Sequence, residues 1–420
     1  MGLTLERTCT PPEPRRAATA ADRVASSAIR DLLAVAERPD VLSLAGGLPD
    51  VGMLGPDRFR AASEAAASAG GTNGPMALQY GPTAGLLPLR EVVAGRLGVD
   101  TEEVVVTTGS QQALDLLARA LCAPGDVVVV QEPAYLGAVQ AFRSAGATVV
   151  GVGGDDRGMD VDELAARCRA GLRPRIVYVV PDHHNPTGAV MSPGRRHRLR
   201  SLAAKHDVVI VEDAAYRDLH WGPPTRTLHR PSSLPDTALP GRPVAPAPRV
   251  VHVGSSSKVL APGLRVGWLT GPADVLDAVV RLKQAADLHT PTWNQLVVAH
   301  LLADDEHPHH LERLRREYRR RSHVLHAALS AELGDRARVD RSDGGMFLWM
   351  VALDGTDTDA LLERAIDAGV AFVPGSAFAV PRPGGTPTDR HAGTARLSFA
   401  TLPGPQLEEA AGRLASVWRA

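Results

Sequence analysis

The chain has 420 residues, 44% of them apolar, and a formal net charge of -1. That is enough chain for two bodies sharing a large core, and the charge offers no electrostatic case for nucleic acid or an acidic membrane surface. Cys9, Cys122 and Cys168 are odd in number, widely spaced and without C-x-x-C, which argues against a disulfide framework or a zinc site. No signal-type apolar core opens the sequence and no apolar run is long enough to span a bilayer, so a cytoplasmic enzyme is the expectation.

Met1 to about Ala20 is polar and proline-rich and reads as a mobile arm, followed by helical spacing over Ser26–Ala36. Val41–Asp50, V-L-S-L-A-G-G-L-P-D, turns a short apolar run into a Gly-Pro loop. From Glu103 onward strands and helices alternate. Strands are predicted at Glu103–Val106, Asp126–Val130, Thr148–Val152, Ile176–Val180, Val208–Val211 and Val250–Val253, with helices at Gln111–Leu121 and about Leu136–Ala145. Continuous β-branched runs imply strands covered on both faces, hence an α/β fold built on a mostly parallel sheet. Gly222–Arg249 and Pro381–Gly393 read as proline-rich surface loops. Helix Leu311–Glu332, the R-S-D-G-G-M-F-L-W-M stretch and the amphipathic tail Gln406–Trp418 suggest a smaller C-terminal domain. The predicted division is 1–50 as arm and substrate-loop segment, 51–290 as the large domain and 291–420 as the small one.

In an open parallel sheet, ligands bind beyond the carboxyl ends of the strands. Here the strand ends carry a consistent set of chemistries. Val104–Val106 runs into T-T-G-S-Q-Q, where Gly109, Ser110 and Gln111 open a helix whose free amides suit an anion. I-V-Y-V-V ends in P-D-H-H-N-P-T-G with Asn185. V-V-I-V ends in E-D-A-A-Y with Asp213 and Tyr216. V-V-H-V ends in G-S-S-S-K with Lys258. Only Lys205, Lys258 and Lys283 are lysines among 46 basic residues. A lysine kept where arginine is the default suggests an amine that must lose its proton and attack a carbonyl, which guanidinium cannot do. Serines before Lys258 and Arg265 after it suit a phosphate beside a Schiff base.

N-P-T-G, D-x-x-Y, S-x-x-K with a downstream arginine, and a late R-L-S-F resemble the fold-type I aminotransferases that use pyridoxal 5′-phosphate (PLP). L-A-G-G-L-P-D, Q-Y-G-P-T-A-G-L-L-P-L-R and S-K-V-L-A-P-G-L-R-V-G-W are similar, more narrowly, to the α-aminoadipate/kynurenine aminotransferase group. The resemblance runs from about Ser26 to the C-terminus and implies a large domain with a seven-stranded-type sheet between helices, plus a smaller α+β C-terminal domain. It also implies roles. Lys258 would carry PLP as a Schiff base and shuttle a proton; Asp213 would pair with the pyridine nitrogen. Asn185 and Tyr216 would hydrogen-bond the ring oxygen, and Tyr135, in Q-E-P-A-Y-L, would stack on the ring. Gly109, Ser110, Gln111, Ser255, Ser257 and Arg265 would form the phosphate seat, joined by Tyr80 of the neighbouring subunit in a homodimer with shared sites. Arg396 would clamp the substrate α-carboxylate over a floor of Gly46 and Gly47, and Arg30 matches a position facing the distal end of the substrate. The implied reaction moves an amino group from an α-amino acid to a 2-oxo acid.

Two features qualify that picture. His183-His184 stand before N-P-T-G where relatives carry an aromatic residue and glutamine. Either imidazole near the ring would offer an extra acid or base and open decarboxylation, elimination or cyclisation instead. His307, His309 and His310 suggest metal at first sight, but Pro308 breaks the helical spacing two ligands would use, so a solvated helix start is expected and no metal. Cys122 and Cys168 read as small buried apolar residues. A ligand-sensing regulator would need a DNA-binding domain upstream, and about forty residues before L-A-G-G-L-P-D are too few. A nicotinamide enzyme is disfavoured because V-G-V-G-G-D-D lacks the full G-x-G-x-x-G.

Overall fold

The computed structural model of the chain describes residues 38–69, 76–229, 247–380 and 391–419. The expected arm, the Ser26–Ala36 helix and Arg30 lie outside the described residues, as do most of the two proline-rich loops.

In chain order, β1 (Leu42–Ser43) precedes α1 (Pro56–Ser68) and α2 (Leu87–Leu97). An alternating series follows: β2 (Val104–Thr107), α3 (Gly109–Leu121), β3 (Val127–Glu132), α4 (Leu136–Ser144), β4 (Thr148–Asp155), β5 (Gly158–Met159), α5 (Val161–Arg169), β6 (Pro174–Val179), α6 (Pro193–His206), β7 (Val209–Asp213), β8 (Arg249–Ser255) and β9 (Gly267–Thr270). Then come α7 (Ala273–Ala286), α8 (Thr292–Ala303), α9 (Glu306–Leu333), β10 (Ala337–Val339), β11 (Phe347–Ala352) and α10 (Thr358–Asp367). The chain closes with β12 (Val370–Ala371), β13 (Val373–Pro374), β14 (Thr394–Ser398) and α11 (Gly404–Arg419).

The large sheet has the order β2-β9-β8-β7-β6-β3-β4-β5. Strands β4, β3, β6, β7 and β8 pair in parallel. β9 inserts antiparallel between β2 and β8, and β5 folds back on β4. The expected mostly parallel, seven-stranded sheet is present, extended by the two-residue edge strand β5. β9 has no counterpart among the predicted strands: G-W-L-T is only four residues long and overlaps the end of the lysine motif.

Strand alternation explains the burial. Val128, Val130, Ile176, Tyr178, Val209, Val211, Val251 and Val253 join one core cluster. The intervening Val129, Val177, Val179, Ile210 and Val250 join a second on the opposite face. Both faces are thus covered, as near-continuous apolar runs require. A smaller antiparallel sheet, β10-β11-β14-β13, forms the C-terminal body, where α9 and α11 pack together. β1 pairs in parallel with β12, which draws the 41–50 strip onto that body. Helix α8 packs back on α1 and α2.

One expectation is corrected here. α9 begins at Glu306, and His307 and His310 are buried rather than solvated. Pro308 falls in the first turn, where a missing amide donor costs nothing. His310 Nε2 donates to the Val259 carbonyl at 2.6 Å. Among the described residues no cluster suited to a metal ion occurs, and no helix is long and apolar enough to cross a membrane. Cys168 is buried and Cys122 half-buried.

The loop after β6 is held by a buried ion pair. Asp182 accepts from Arg196 Nη2 at 2.7 Å, from Arg217 Nη1 at 3.1 Å and from Thr225 Oγ1. Arg196 also donates to the carbonyls of Met191, Pro181 and Arg226. The chain between 181 and 191 is thereby anchored at both ends, with Asn185 between them. Replacing Asp182 by Asn strands the buried guanidinium without its counter-charge. Asp182→Asn should lower stability by about 3–5 kcal/mol, read as a lower denaturant midpoint; a loss under about 1 kcal/mol would mean the carbonyls alone hold the loop.

Candidate active site

The ends of β6, β7 and β8 deliver Asn185, Asp213 and Lys258 to one place, with the start of α3 beside them. Lys258 Nζ donates to the Gly47 carbonyl at 2.9 Å and lies 5.8 Å from the Tyr216 ring centre. Burial pulls this amine down to about 8; Arg396 and Arg265 add to that and Asp213 opposes it. Asp213 is buried, accepts from Tyr178 Oη at 2.9 Å and from the Ala215 amide at 3.1 Å. Burial pushes its carboxyl above the ordinary range despite those two donors.

Asn185 joins the large sheet to the C-terminal body. Its Nδ2 donates to Tyr216 Oη at 3.2 Å, and its Oδ1 accepts from Arg396 Nη1 at 2.9 Å. Arg396, on β14, also donates to the Ala45 carbonyl at 2.7 Å. Its guanidinium lies over Phe347 at 4.3 Å and Phe378 at 5.0 Å. Burial lowers it to about 10, which leaves it charged at neutral pH. Burial likewise raises the Tyr216 phenol, and lifts that of Tyr135 to about 12.

The start of α3 has no side-chain cap. Gly109 has a φ of 76°, and a Cβ there would sit 2.4 Å from Arg265 Nη2. Only glycine allows both the left-handed backbone and the close approach of that guanidinium. A Cβ on Gly267 would stand 2.8 Å from the Ser110 nitrogen, so β9 also presses on this turn. Gln111 reaches across to Tyr135, accepting from its Oη at 3.3 Å, and donates to the Gly137 carbonyl at 2.9 Å. Ser255 and Ser257 are buried, and the Ser255 hydroxyl accepts from the Ser257 amide.

The sequence-derived residues Gly47, Gly109, Ser110, Gln111, Tyr135, Asn185, Asp213, Tyr216, Ser255, Ser257, Lys258, Arg265 and Arg396 therefore come together, and Gly46 lies buried between Ala45 and Gly47. Tyr80 does not join them. It is 80% exposed, with its ring 5.7 Å from that of His289. Of the histidine pair, His184 is hydrogen-bonded elsewhere, whereas His183 Nδ1 is buried without a partner among the described residues. His184 Nδ1 meets Thr187 Oγ1 at 2.9 Å and Gln131 Nε2 at 3.5 Å. His183 has a φ of 53° and packs against Gly344 and Gly345. Burial depresses His183 to about 4 and His184 to about 3, so both are neutral imidazoles at physiological pH. Neither hydrogen-bonds Lys258, Asn185, Tyr216 or Arg396 among the described residues.

Tyr178, Phe347 and Phe378 are the site residues the sequence reading missed. Tyr178 sits inside an apolar strand and looks like core. Its signal was the β6–β7 register: Tyr178 pairs with Val211, and Asp213 lies two residues on, on the same face.

The model of the family described as aminotransferase class I and II matches residues 39–414. A 2-aminoadipate transaminase of Thermus thermophilus is 40% identical over 396 residues, covering 94% of each chain. Aromatic-amino-acid aminotransferase 1 of Thermococcus litoralis is 34% identical, over 93% of this chain and 91% of the relative. The crystal structure of an alpha-aminoadipate aminotransferase from Thermus thermophilus, complexed with N-(5′-phosphopyridoxyl)-L-leucine, superposes with a TM-score of 0.82 at 38% identity. The match covers 96% of this chain and 97% of that one.

The lowered amine gives a direct test. A lysine pulled down by burial offers its neutral, nucleophilic form above about pH 8. In protein freed of small ligands, acetylation of Lys258 followed by peptide mapping should rise through about pH 8 and then level off. A rate still climbing steeply beyond about pH 10 would contradict the burial assigned to Lys258.

Proposed function

The chain belongs to the class I and II aminotransferases, and from that premise we propose that Lys258, Asp213 and Tyr216 are its catalytic residues, with Arg396 as the substrate clamp. Its reaction is the transfer of an amino group from an α-amino acid to a 2-oxo acid, with PLP as cofactor. The observation that carries the residue assignment is the half-buried Lys258, whose amine is lowered by burial and feels the charges of Asp213 and of the buried Arg396.

The residues fit the cofactor. The uncapped start of α3, opened by Gly109 and faced by Arg265, suits a phosphate; Gly109, Ser110, Gln111, Ser255, Ser257 and Arg265 would hold it. Tyr135 beside Gln111 would flank the ring, and Asn185 with Tyr216 would bond its oxygen. When bound, PLP supplies an aldehyde for the substrate amine and a ring that accepts electrons from Cα. Asp213 would hold a proton on the ring nitrogen; a cation placed against it reverses the upward push of burial. Tyr178 and the Ala215 amide keep that carboxylate in place. Lys258, with an amine near neutrality, would hold the cofactor through its aldehyde carbon and would carry a proton at Nζ. Arg396, fixed by Asn185 and the Ala45 carbonyl, would bind the α-carboxylate and so set which bond at Cα is aligned for cleavage. Gly46 and Gly47 would floor this pocket, and Arg30 would face the distal end of the substrate. His184 is bonded to Thr187 and His183 is packed against Gly344 and Gly345, and neither hydrogen-bonds these groups among the described residues, so the pair offers no support for decarboxylation, elimination or cyclisation.

The active unit in this reading is a cytoplasmic homodimer in which Tyr80 reaches the partner's phosphate seat. Its support is an exposed apolar set, Leu78, Tyr80 and Leu87 together with Met76 and Leu288. 2-Oxoglutarate or a similar 2-oxo acid is the acceptor.

Borohydride reduction of the holoenzyme should label Lys258, and Lys258→Ala should abolish turnover while leaving some cofactor bound. Label on Lys205 or Lys283 instead would overturn the assignment. For the dimer, an inactive Lys258 variant mixed with an inactive Tyr80 variant should regain part of the activity, because one site of each heterodimer is intact. Full activity in a protein that light scattering finds monomeric would refute shared sites.

A further inference from the structure

Lys283 is one of three lysines among 46 basic residues, and its side chain is fully buried. The catalytic reading has no use for it. Its ammonium donates to both carboxylate oxygens of Asp287 at 2.8 and 2.9 Å, to Gln112 Oε1 at 3.0 Å and to Thr290 Oγ1 at 3.2 Å. Those acceptors in turn hold Thr108, the residue that leads into Gly109. Gln112 Oε1 accepts the Thr108 amide at 2.7 Å. The Thr108 hydroxyl donates to Asp287 Oδ2 at 2.9 Å and lies 3.1 Å from that of Thr290. Gln112 Nε2 closes the ring with a 2.6 Å bond to Asp287 Oδ2.

The same network reaches the segment around Tyr80. Gln295 Nε2 donates to the Thr290 carbonyl at 2.6 Å, while its Oε1 accepts the Leu86 amide at 2.7 Å. Thr292 Oγ1 donates to the Ala77 carbonyl at 2.8 Å.

We propose that Lys283 is a positioning residue for the cofactor phosphate: through Gln112, Asp287 and Thr290 it sets the Thr108–Gly109 turn so that the first amides of α3 converge on that group. The proposal rests on reading Gly109, Ser110 and Gln111 as the phosphate seat. The ammonium is compact and sends three donors in tetrahedral directions, matching acceptors that arrive from separate side chains. A guanidinium is larger, and its donors lie in one plane. That difference accounts for a lysine here in a chain that otherwise uses arginine. Burial lowers the Lys283 amine, and the bonds to Asp287 oppose it. On Asp287 burial pushes upward, but the bonds from Lys283, Gln112 and Thr108 outweigh it and keep the carboxylate ionised.

The test is cofactor affinity, measured on apoprotein by absorbance or fluorescence titration with PLP and with pyridoxal, which lacks the phosphate. Lys283→Met and Lys283→Arg should each weaken PLP binding by about tenfold or more, the loss of one charge-assisted hydrogen-bond set, and pyridoxal binding by less than about twofold. Inorganic phosphate should compete less well for PLP in the variants than in wild type. A merely structural role would lower thermal stability and weaken both ligands alike; that result, or unchanged PLP affinity in folded variants, overturns the proposal. Should Lys283→Met fail to fold, Thr108→Val, which cuts only the hydroxyl link, must show the same phosphate-selective loss or the proposal fails. Wild-type protein that binds PLP no better than pyridoxal would instead sink the reading of the seat.

Discussion

A guanidinium taken almost wholly out of water is the constraint around which the site is built. Arg396 is buried, and desolvating such a cation costs several kcal/mol. What offsets that cost is neutral: the Asn185 amide oxygen, the Ala45 carbonyl and the faces of Phe347 and Phe378. Among the described residues no carboxylate pairs with it, and its Nε has no protein partner. Such a cation is poised for an anion brought from outside, and an amino acid's α-carboxylate matches the planar fork. The three kinds of partner come from three parts of the chain, so one residue's solvation ties the N-terminal strip, the large sheet and the small sheet into one pocket.

That constraint also explains the electrostatic order of the pocket. Arg396 and Arg265 add to burial in disfavouring a second cation at Lys258, while Asp213 opposes them. An amine near neutrality that feels both guanidiniums can exchange a proton, whereas they cannot. Lys283 shows the contrary case. It is buried too, but Asp287 is bonded directly to it, so its charge serves geometry rather than proton transfer.

Much of this was legible in the chain because the large domain repeats one local rule: a β-branched run, then a polar residue at its carboxyl end. Asn185, Asp213 and Lys258 follow that rule and could be placed before any contact was known. What stayed hidden depends on partners far away in sequence. Tyr178 looks like core until the β6–β7 register sets it two positions behind Asp213 on the same face. Phe347 and Phe378 look like core as well, and act as a clamp only because β11, β14 and the segment after β13 bring them around Arg396. His307 and His310 failed for a related reason: Pro308 was read as a break, whereas in a first turn proline is compatible with the helix, and tertiary burial took the imidazoles inward. The Lys283 network is not legible in the sequence because Thr108, Gln112, Asp287 and Thr290 are ordinary helix-end residues until α7 is packed against α3.

The Ala45–Gly47 strip is mechanically tied to the C-terminal body. Leu44 bonds both ways with that body, to the Ala371 carbonyl and from the Ser398 amide, each at 2.7 Å. Asp50 is held by Arg321 at 2.7 Å and by the Tyr318 hydroxyl at 2.9 Å, both from α9. Arg396 takes the Ala45 carbonyl from the same side. Toward the large sheet the strip makes the Lys258–Gly47 bond, through the Nζ that the proposed function puts to use. In the reading proposed above, condensation with an aldehyde would pass both N–H protons of the neutral amine to water, so the Gly47 bond would compete with that chemistry. Engaged in that way, Lys258 would give up its bond to the strip, whereas the strip's bonds to the C-terminal body do not involve Lys258. The Ala45–Gly47 strip and Arg396 are thus held together by bonds that do not depend on Lys258.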